Sequence, residues 1–513
     1  MKKTGKQLLF GILFLFLALV TTSCGDASEK GADAKAELQA VYSRNYEALR
    51  SKVHETALEM LEAYQKKRGF GDRDSSFYAL QKAKLYADES LNEETAVDAI
   101  YKSELIVDLP EGIDRKDLKD ANSEGDDMVY RVISMDGEKT DKYVKSSHVF
   151  KDRFDFIYYP EEGVSYEPFP KKEYASNPPI KVRGVYVTAS SAMNGAGNLD
   201  YLIELARTTD INTFVIDVKD DNGRLLFTSK AAEKYMPQMN ETAAIKDIEA
   251  FIKRLKDENI YLIARIVTFK SPEYAKAYPE KAIVYKSSRE VYMSGDGLKW
   301  ASPYDRDLWE YNIMIAEEAA ELGFNEIQFD YVRFPDVTAA TNENLDFQNH
   351  KNESKTVAIH GFLEEAYKRL SAKEVYVTAD FFGYVATALN DQFIGQHWES
   401  VCNVVDYSAP MVYPSHYGPG NFGLAVPDAR PYECIDGAMK DAIDRNKNLY
   451  TPAKLRPWIQ DFTAPWIPGY IPYGKAEVMA QIQALKDNGI DEYMLWNAGN
   501  KYTAEALHND ERE

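Results

Sequence analysis

The chain after Ile180 alternates apolar runs with amphipathic runs, and this rhythm constrains the fold more than any other feature. Such alternation is typical of a parallel sheet whose strands are joined by helical crossovers. Strands are predicted at Gly184–Thr188, Thr213–Val218, Tyr261–Thr268, Glu326–Val332, Val375–Phe381, Val404–Met411, Leu455–Gln460 and Glu492–Trp496. Helices are predicted at Leu199–Arg207, Ile245–Lys256, Asp305–Leu322, Ala358–Leu370, Cys434–Arg445 and Ala476–Asn488.

Eight strands over residues 180–505 predict a (β/α)8 TIM barrel, so the fold class is α/β. The connection between the fifth and sixth strands, near Asp391 to Trp398, is short and less clearly helical. An open, doubly wound sheet is the alternative. That fold usually has fewer strands and often carries a glycine-rich phosphate turn, which this sequence lacks.

Residues 36–175 predict a smaller N-terminal region that is helical first and then contains strands. Apolar residues recur at helical spacing between Ala34 and Ile106, including the runs Ser76–Leu85 and Glu93–Lys102. From Val129 to Tyr166 the pattern changes to short strands. No residue pattern in this region points to chemistry. An adaptor, a spacer and a binding module all remain open.

The N-terminus has the pattern of an export signal. Lysines precede the apolar run Leu8–Val20, which is short for a membrane span and suits a signal peptide at residues 1–23. The following small residues end at Cys24 and resemble a lipoprotein cleavage box, although Thr21 departs from that box. Residues 24–35 are predicted to be a tether. We therefore expect an extracytoplasmic lipoprotein anchored to the membrane through Cys24, and a secreted or periplasmic protein is the alternative.

Two further cysteines, Cys402 and Cys434, lie in the predicted barrel. An exported location permits a disulfide between them. Two free buried thiols are equally consistent with the sequence. Their spacing matches no metal-binding motif.

Charge and motif content exclude several classes of function. The net charge is −21 and the body of the chain has no basic run, so no nucleic-acid partner is predicted. The seven histidines include no metal-binding pair, and no metal or cofactor is predicted. The run Asp217–Gly223 resembles a calcium loop but lacks its closing glutamate, and we interpret it as a solvated loop. The serine-hydrolase pattern G-x-S-x-G is also missing.

Polar residues recur where the predicted barrel strands end, which is where barrel active sites lie. The candidate site residues are Asp217, Arg265, Asp330, Tyr331, Arg333, Asp380, Tyr413, His416, Trp458, Asp461 and Trp496. A buried carboxylate needs a cation or hydrogen bonds. For any single aspartate, an Asp–Arg pair that braces the barrel is the alternative. The recurrence of acids from strand to strand favours a functional site.

Paired carboxylates with aromatic walls are what glycosidic bond hydrolysis requires. Arg333 follows Asp330 by three residues, so we interpret Asp330 as the ionised nucleophile or base. Asp380 on the adjacent strand is the predicted general acid. Asp217 and Asp461 are reserve candidates that would bind a substrate hydroxyl or supply a stabilising charge.

Aromatic residues at the strand ends are predicted to stack on sugar rings. They are Tyr331, Tyr413, Trp458 and Trp496, and the chain has 35 tyrosines in all. Packing at the barrel mouth is the alternative for each of them. Arg265 would contact substrate or pair with the acids. His416 would form a hydrogen bond with a sugar hydroxyl, or have no role.

Six segments of the predicted barrel carry a resemblance to a known family. They are Arg183–Tyr186, Phe214–Gly223, Gln328–Pro335, Met411–Tyr417, Arg456–Phe462 and Trp496–Asn497. Together they span about Lys181 to Tyr502 and resemble the bacterial putative glycoside hydrolase TIM-barrel domain family, first described as a domain of unknown function. The resemblance implies a TIM barrel and glycoside hydrolase activity, and it implies no particular substrate.

The sequence therefore predicts a lipid-anchored glycoside hydrolase that cleaves a polysaccharide or oligosaccharide without a cofactor. A non-catalytic, glycan-binding envelope lipoprotein is the first alternative. A purely structural envelope protein is the second, and it predicts no cleft with paired carboxylates.

Overall fold

The computed structural model describes residues 75–109, 113 and 115–507. The predicted signal peptide, the tether, Cys24 and the predicted helices before residue 75 lie outside the described residues. The described part of the chain divides into two compact units between Tyr158 and Tyr159. None of the described helices has both the length and the apolar character that a membrane span requires.

The first unit contains a five-stranded antiparallel sheet. Its strands, in spatial order, are Glu138–Lys145, Val129–Met135, Glu104–Val107, Ser76–Ala79 and Val149–Phe150. A short pair joins Lys84–Leu85 to Val97–Asp98. The 3-10 turns are Glu93–Thr95, Arg115–Asp117, Ser146–His148 and Arg153–Phe156. The strands predicted from Val129 onward are confirmed as far as Phe150, but the strands predicted beyond it are wrong, since Arg153–Phe156 forms a 3-10 turn.

The prediction of helices at Ser76–Leu85 and Glu93–Lys102 is wrong, because both segments contain short strands. All four residues of Ser76–Ala79 are buried in the sheet, where the ring of Phe77 packs 4.8 Å from that of Tyr130. Aromatic side chains favour such half-buried pleated positions. Lys102 has φ of 63°, a left-handed conformation that a helix does not accommodate. Cross-strand burial therefore overrides the helical spacing of the apolar residues.

The second unit is a closed barrel of parallel strands, which we number β1 to β8. They are β1 Arg183–Val187, β2 Thr213–Lys219, β3 Tyr261–Val267, β4 Glu326–Asp330, β5 Tyr376–Phe382, β6 Tyr407–Met411, β7 in two pieces at Lys454–Leu455 and Trp458–Gln460, and β8 Tyr493–Trp496. Each strand pairs with the next along the chain, and β8 pairs with β1. The barrel prediction is confirmed, and the open-sheet alternative is wrong.

Helices follow the first seven strands and are numbered to match them. They are α1 Asn198–Thr208, α2 Ile248–Asp257, α3 Arg306–Leu322, α4 Lys355–Ser371, α5 Trp398–Cys402, α6 Pro431–Asn446 and α7 Lys475–Asp487. Short helices in the loops are Ala189–Ala192, Lys230–Tyr235, Gln238–Glu241, Pro272–Ala277 and Ala339–Asn344. The six predicted helices are confirmed, and the predicted short link between β5 and β6 contains the short helix α5 and a 3-10 turn at Gly383–Ala386.

Local sequence explains where the longest of these helices starts and stops. The side chain of Asp305 accepts hydrogen bonds from the first backbone amides of α3, which satisfies donors that have no partner within the helix. Gly323 ends the helix with φ of 103°, a conformation that glycine adopts without steric cost. The chain then enters β4 three residues later, which brings Asp330 to the carboxyl end of the barrel.

The barrel strands are apolar because helices cover them outside and side chains fill them inside. Every residue of β2 and β3 is buried.

Cys402 and Cys434 are buried free thiols, so the possible disulfide between them is not formed.

Candidate active site

Arg265 of β3 lies at the centre of a carboxylate cluster and is 1% exposed. Its Nε and Nη2 donate to Oδ2 of Asp330 at 2.9 and 2.6 Å, and its Nη1 donates to Oδ1 of Asp217 at 2.5 Å. A third acid, Asp221, lies 3.3 Å from Nη2. The planar fork of arginine suits this arrangement because its donors point in fixed directions. One cation thus joins the ends of β2, β3 and β4.

Arg333 forms no ion pair with Asp330 among the described residues, so the pairing predicted from their spacing of three residues is wrong. Nη1 of Arg333 donates to the carbonyl of Phe334 at 2.9 Å instead. A spacing of three residues brings side chains together on a helix. Here β4 ends at Asp330, and Tyr331 follows with φ of 48°, which turns the chain in another direction.

Asp217 of β2 is held from both sides. Arg265 contacts one oxygen, and the hydroxyl of Tyr186 donates to the other at 2.6 Å. Burial raises the pKa of Asp217 to about 6, against the opposing effect of the Arg265 charge. Tyr186 lies on β1, and its ring stacks on Trp496 with centroids 4.1 Å apart.

Asp380 of β5 has a different environment from Asp330. Its Oδ1 accepts hydrogen bonds from Gln328 Nε2 and, at 2.8 Å, from Trp458 Nε1. Its Oδ2 is buried and has no hydrogen-bond partner among the described residues. Burial, and then the negative charge of Asp330, raise the pKa of Asp380 well above its ordinary value. The neutral, proton-carrying form is therefore favoured at this position.

Two more buried polar atoms in this part of the barrel lack hydrogen-bond partners among the described residues. They are Oε1 of Gln328 and the hydroxyl of Tyr413. Buried polar atoms of this kind are nearly always bonded in folded proteins. Burial, the largest cause, raises the pKa of Tyr413 well above its ordinary value, so the hydroxyl keeps its proton. The described residues therefore leave three buried polar atoms here without hydrogen-bond partners, on Asp380, Gln328 and Tyr413.

The predicted aromatic walls divide into two kinds. Tyr331 and Trp496 are partly exposed and suit stacking on a sugar. Trp458 is 1% exposed and donates to Asp380, so it positions an acid rather than offering a face. Tyr413 is also buried, and its ring lies 5.2 Å from that of the exposed His416.

Asp461 is engaged away from the Arg265 cluster. Its two oxygens accept hydrogen bonds from the backbone amide and the hydroxyl of Thr503, at 2.8 and 2.6 Å. These bonds fix the segment that follows β8. Asp461 is therefore a bracing residue in this structure.

Several residues of the site were missed by sequence reasoning. Lys270 pairs with Asp221 at 2.6 Å, and its Nζ lies 3.7 Å from the ring centroid of Tyr331. Gln328 lies two residues before Asp330, so strand alternation turns both side chains to the same face. Trp300 lies in the loop after β3, with its ring 5.8 Å from that of Tyr331. The strand-end position of Lys270 and the alternation at Gln328 were available as signals, whereas nothing in the sequence marks Trp300.

The described residues contain no group of three or more His, Cys, Asp or Glu side chains arranged to hold a metal ion. Asp217 and Asp330 instead accept hydrogen bonds from the Arg265 guanidinium, which offsets their negative charge.

The sequence model of a family described as "Putative glycosyl hydrolase domain" matches residues 184–502, which is more than half of the chain. The chain belongs to this family. The family resemblance drawn from the strand-end motifs is thereby confirmed, and the barrel is a glycosyl hydrolase domain. No curated protein matches the chain.

Solved structures similar to this glycosyl hydrolase domain come from several bacteria. A hypothetical protein from Ruminiclostridium thermocellum is 34% identical over 38% of this chain and 96% of its own, with a TM-score of 0.33. The PgaB (BpsB) glycoside hydrolase domain from Bordetella bronchiseptica is 15% identical over 64% of this chain and 99% of its own, with a TM-score of 0.45. The spore cortex-lytic enzyme SleL of Bacillus megaterium is 13% identical over 64% of this chain and 74% of its own, with a TM-score of 0.38. With TM-scores below 0.5, these likenesses add nothing to what the strand order establishes.

Proposed function

We propose that this barrel hydrolyses glycosidic bonds of a polysaccharide or oligosaccharide, with Asp380 as general acid and Asp330 as nucleophile or base. The observation that carries the proposal is the contrast between two carboxyl groups on adjacent strands. Asp330 is balanced by Arg265, whereas burial and the charge of Asp330 raise the pKa of Asp380. A pair of titratable groups with opposed environments is what acid and base roles require.

The unused hydrogen-bonding capacity of the two carboxyl groups supports these roles. Oδ2 of Asp380 has no hydrogen-bond partner among the described residues, so its proton can be given to a leaving oxygen. Among the described residues, Oδ1 of Asp330 accepts a hydrogen bond only from the backbone amide of Tyr331, at 2.6 Å, which leaves this oxygen a second lone pair. The partly exposed rings of Tyr331 and Trp496 are suited to bind the sugar beside these groups.

The strand register favours the retaining form of the reaction. Phe329 pairs with Ala379, so Asp330 and Asp380 follow at matching positions of neighbouring strands, whose backbones lie roughly 4.8 Å apart, and their side chains start from this spacing. Retaining enzymes hold their carboxyls about 5 Å apart, and inverting ones leave room for water between them. Asp330 then acts as the nucleophile, and nuclear magnetic resonance of the first product should show the substrate's anomeric configuration. An inverted first product would contradict this assignment.

A glycan-binding protein without hydrolytic activity is the second candidate. One observation favours it: Asp330 and Asp380 are only 3% and 1% exposed, which also suits a bracing network. A glycan panel assayed for new reducing ends separates the two functions. We expect the wild type to cleave at least one glycan and Asp330→Asn to lose that cleavage. Equal cleavage by both proteins would remove Asp330 from the mechanism, and binding without cleavage by the wild type would favour the second candidate.

Asp247→Asn is the matched control for this panel. Asp247 caps α2 through its side chain, and asparagine caps helices equally well. This control should cleave like the wild type.

We also propose that the protein is held outside the cytoplasm by a lipid on Cys24. The apolar run and the small residues before Cys24 support this location. Cys24→Ala should move the protein from the membrane fraction to a soluble one. An unchanged membrane fraction would contradict lipid anchoring, and a soluble wild type would favour the secreted or periplasmic alternative.

A further inference from the structure

Arg333 carries a positive charge that no acidic side chain balances among the described residues. Its single hydrogen bond there is the one from Nη1 to the Phe334 carbonyl, and the ion pairs at the barrel mouth do not include it. Against the effect of burial, the charges of Asp330 and Asp336 raise the pKa of Arg333, but neither acid forms an ion pair with it. A guanidinium has five N–H donors, so most of its capacity is unused.

The neighbouring cations differ from Arg333 in this respect. Arg265 contacts Asp217 and Asp330, and Lys270 contacts Asp221 at 2.6 Å and Asp296 at 3.4 Å. Those lysine and arginine charges are therefore matched within the protein. Arg333 is not needed to neutralise the carboxylate cluster, which leaves its charge available to a ligand.

Three aromatic rings hold the Arg333 guanidinium in place. Its central carbon lies 5.2 Å from the ring centroid of Trp300, 5.1 Å from that of Tyr331 and 5.7 Å from that of Phe382. Cation–π contacts of this kind orient the planar group without neutralising it. Burial lowers the pKa of Arg333, which reflects the cost of removing this charge from water without a counterion.

We propose that Arg333 binds a carboxylate on the sugar next to the cleaved bond, so that the substrate is an acidic glycan containing uronic acid. The inference rests on the proposed hydrolase function and names its substrate class. Tyr331 supplies the link, because its ring contacts Arg333 while its backbone amide bonds Asp330. A sugar stacked on Tyr331 would therefore lie near both the catalytic carboxyl and the guanidinium. Arginine presents paired N–H groups whose geometry matches both oxygens of a carboxylate.

Matched pairs of oligosaccharides test this proposal. The probes are a galacturonic acid tetramer and a glucuronic acid-containing tetramer, each beside the same chain with its carboxyls reduced to alcohols. Binding is measured by calorimetry in the full-length protein carrying Asp380→Asn, which prevents turnover. We expect at least one acidic probe to bind about ten-fold or more tightly than its reduced partner.

Variants of Arg333 then locate the origin of the preference. Arg333→Gln should bring the affinity for the acidic probe down to that for its reduced partner, and Arg333→Lys should restore part of it, because the charge remains without the fork. Arg207→Gln is the matched control, since Arg207 lies on α1, pairs with Glu258 and is 56% exposed. It should keep the full preference.

Failure of this inference is distinguishable from failure of the proposed function. No preference for either acidic probe, or equal loss of both members of a pair in Arg333→Gln, would overturn the carboxylate assignment. Cleavage of the reduced glycan as fast as the acidic one by the wild-type protein would overturn it too and leave the hydrolase intact. A preference for the acidic probe without any cleavage by the wild type would keep the assignment and overturn the hydrolase.

Discussion

Arg265 places two hydrogen bonds on a single oxygen of Asp330, from Nε at 2.9 Å and from Nη2 at 2.6 Å. The other oxygen of Asp330 meets only the amide of Tyr331 within the described residues. The guanidinium therefore balances the charge of Asp330 from one side and leaves the second oxygen able to face a substrate. Asp380, one strand away, forms no ion pair with any cation in the described part of the chain.

Arg265→Met should destabilise the barrel strongly. It removes the cation from between Asp217 and Asp330, both of which are nearly inaccessible to water. Breaking a buried ion pair by removing one partner costs about 3–5 kcal/mol. Urea denaturation measures this loss. Arg207→Met at the exposed surface should change the free energy of unfolding by less than about 1 kcal/mol, and equal effects of the two substitutions would contradict the role of Arg265.

Asp330→Asn should lower the pKa of Asp380. After burial, the negative charge of Asp330 is the next largest cause that raises this pKa, and asparagine removes that charge. Infrared titration of the protonated carboxyl band, assigned by its loss in Asp380→Asn, follows the change. A pKa of Asp380 that is unchanged in Asp330→Asn would show that the two carboxyls do not interact.

The barrel itself could be predicted because apolar runs and amphipathic runs mark strands and helices locally. Asp330 and Asp380 could be placed at strand ends for the same reason. Arg265 could be named as a possible partner of the acids, but spacing along the chain could not show that it contacts Asp330, because Arg265 lies on another strand and inter-strand stagger leaves no trace in that spacing. Trp458 illustrates a second limit: its strand-end position was evident, but only packing shows that its indole points at Asp380.

Lys219 offers a test of the barrel outside the active site. It is fully buried in β2, where Nζ donates to Asn312 Oδ1 at 2.8 Å, and burial lowers its pKa to about 7. The unfolded chain keeps this proton up to about pH 10.4. Between these two pH values the unfolded state binds one more proton, so the free energy of unfolding rises with pH by up to about 1.4 kcal/mol per unit.

Lys219→Met should remove this contribution. Urea denaturation at several pH values between 7.5 and 9.5 compares the slopes of the two proteins, and other titrating groups are common to both. Lys253→Met, at a position that is 73% exposed on α2, should keep the wild-type slope. A slope in Lys219→Met equal to that of the wild type would mean that Lys219 is charged in the folded protein.

The most direct test of the catalytic assignment compares leaving groups. Two synthetic glycosides of the same sugar are used, one with an alkyl leaving group that needs a proton and one with a nitrophenyl leaving group that does not. We predict that Asp380→Asn lowers kcat/KM by about 10²- to 10⁴-fold for the alkyl glycoside and far less for the nitrophenyl one, because general acid catalysis assists only the former. Asp330→Asn should lower both. Equal losses on the two substrates in Asp380→Asn, or full activity in Asp330→Asn, would contradict the account.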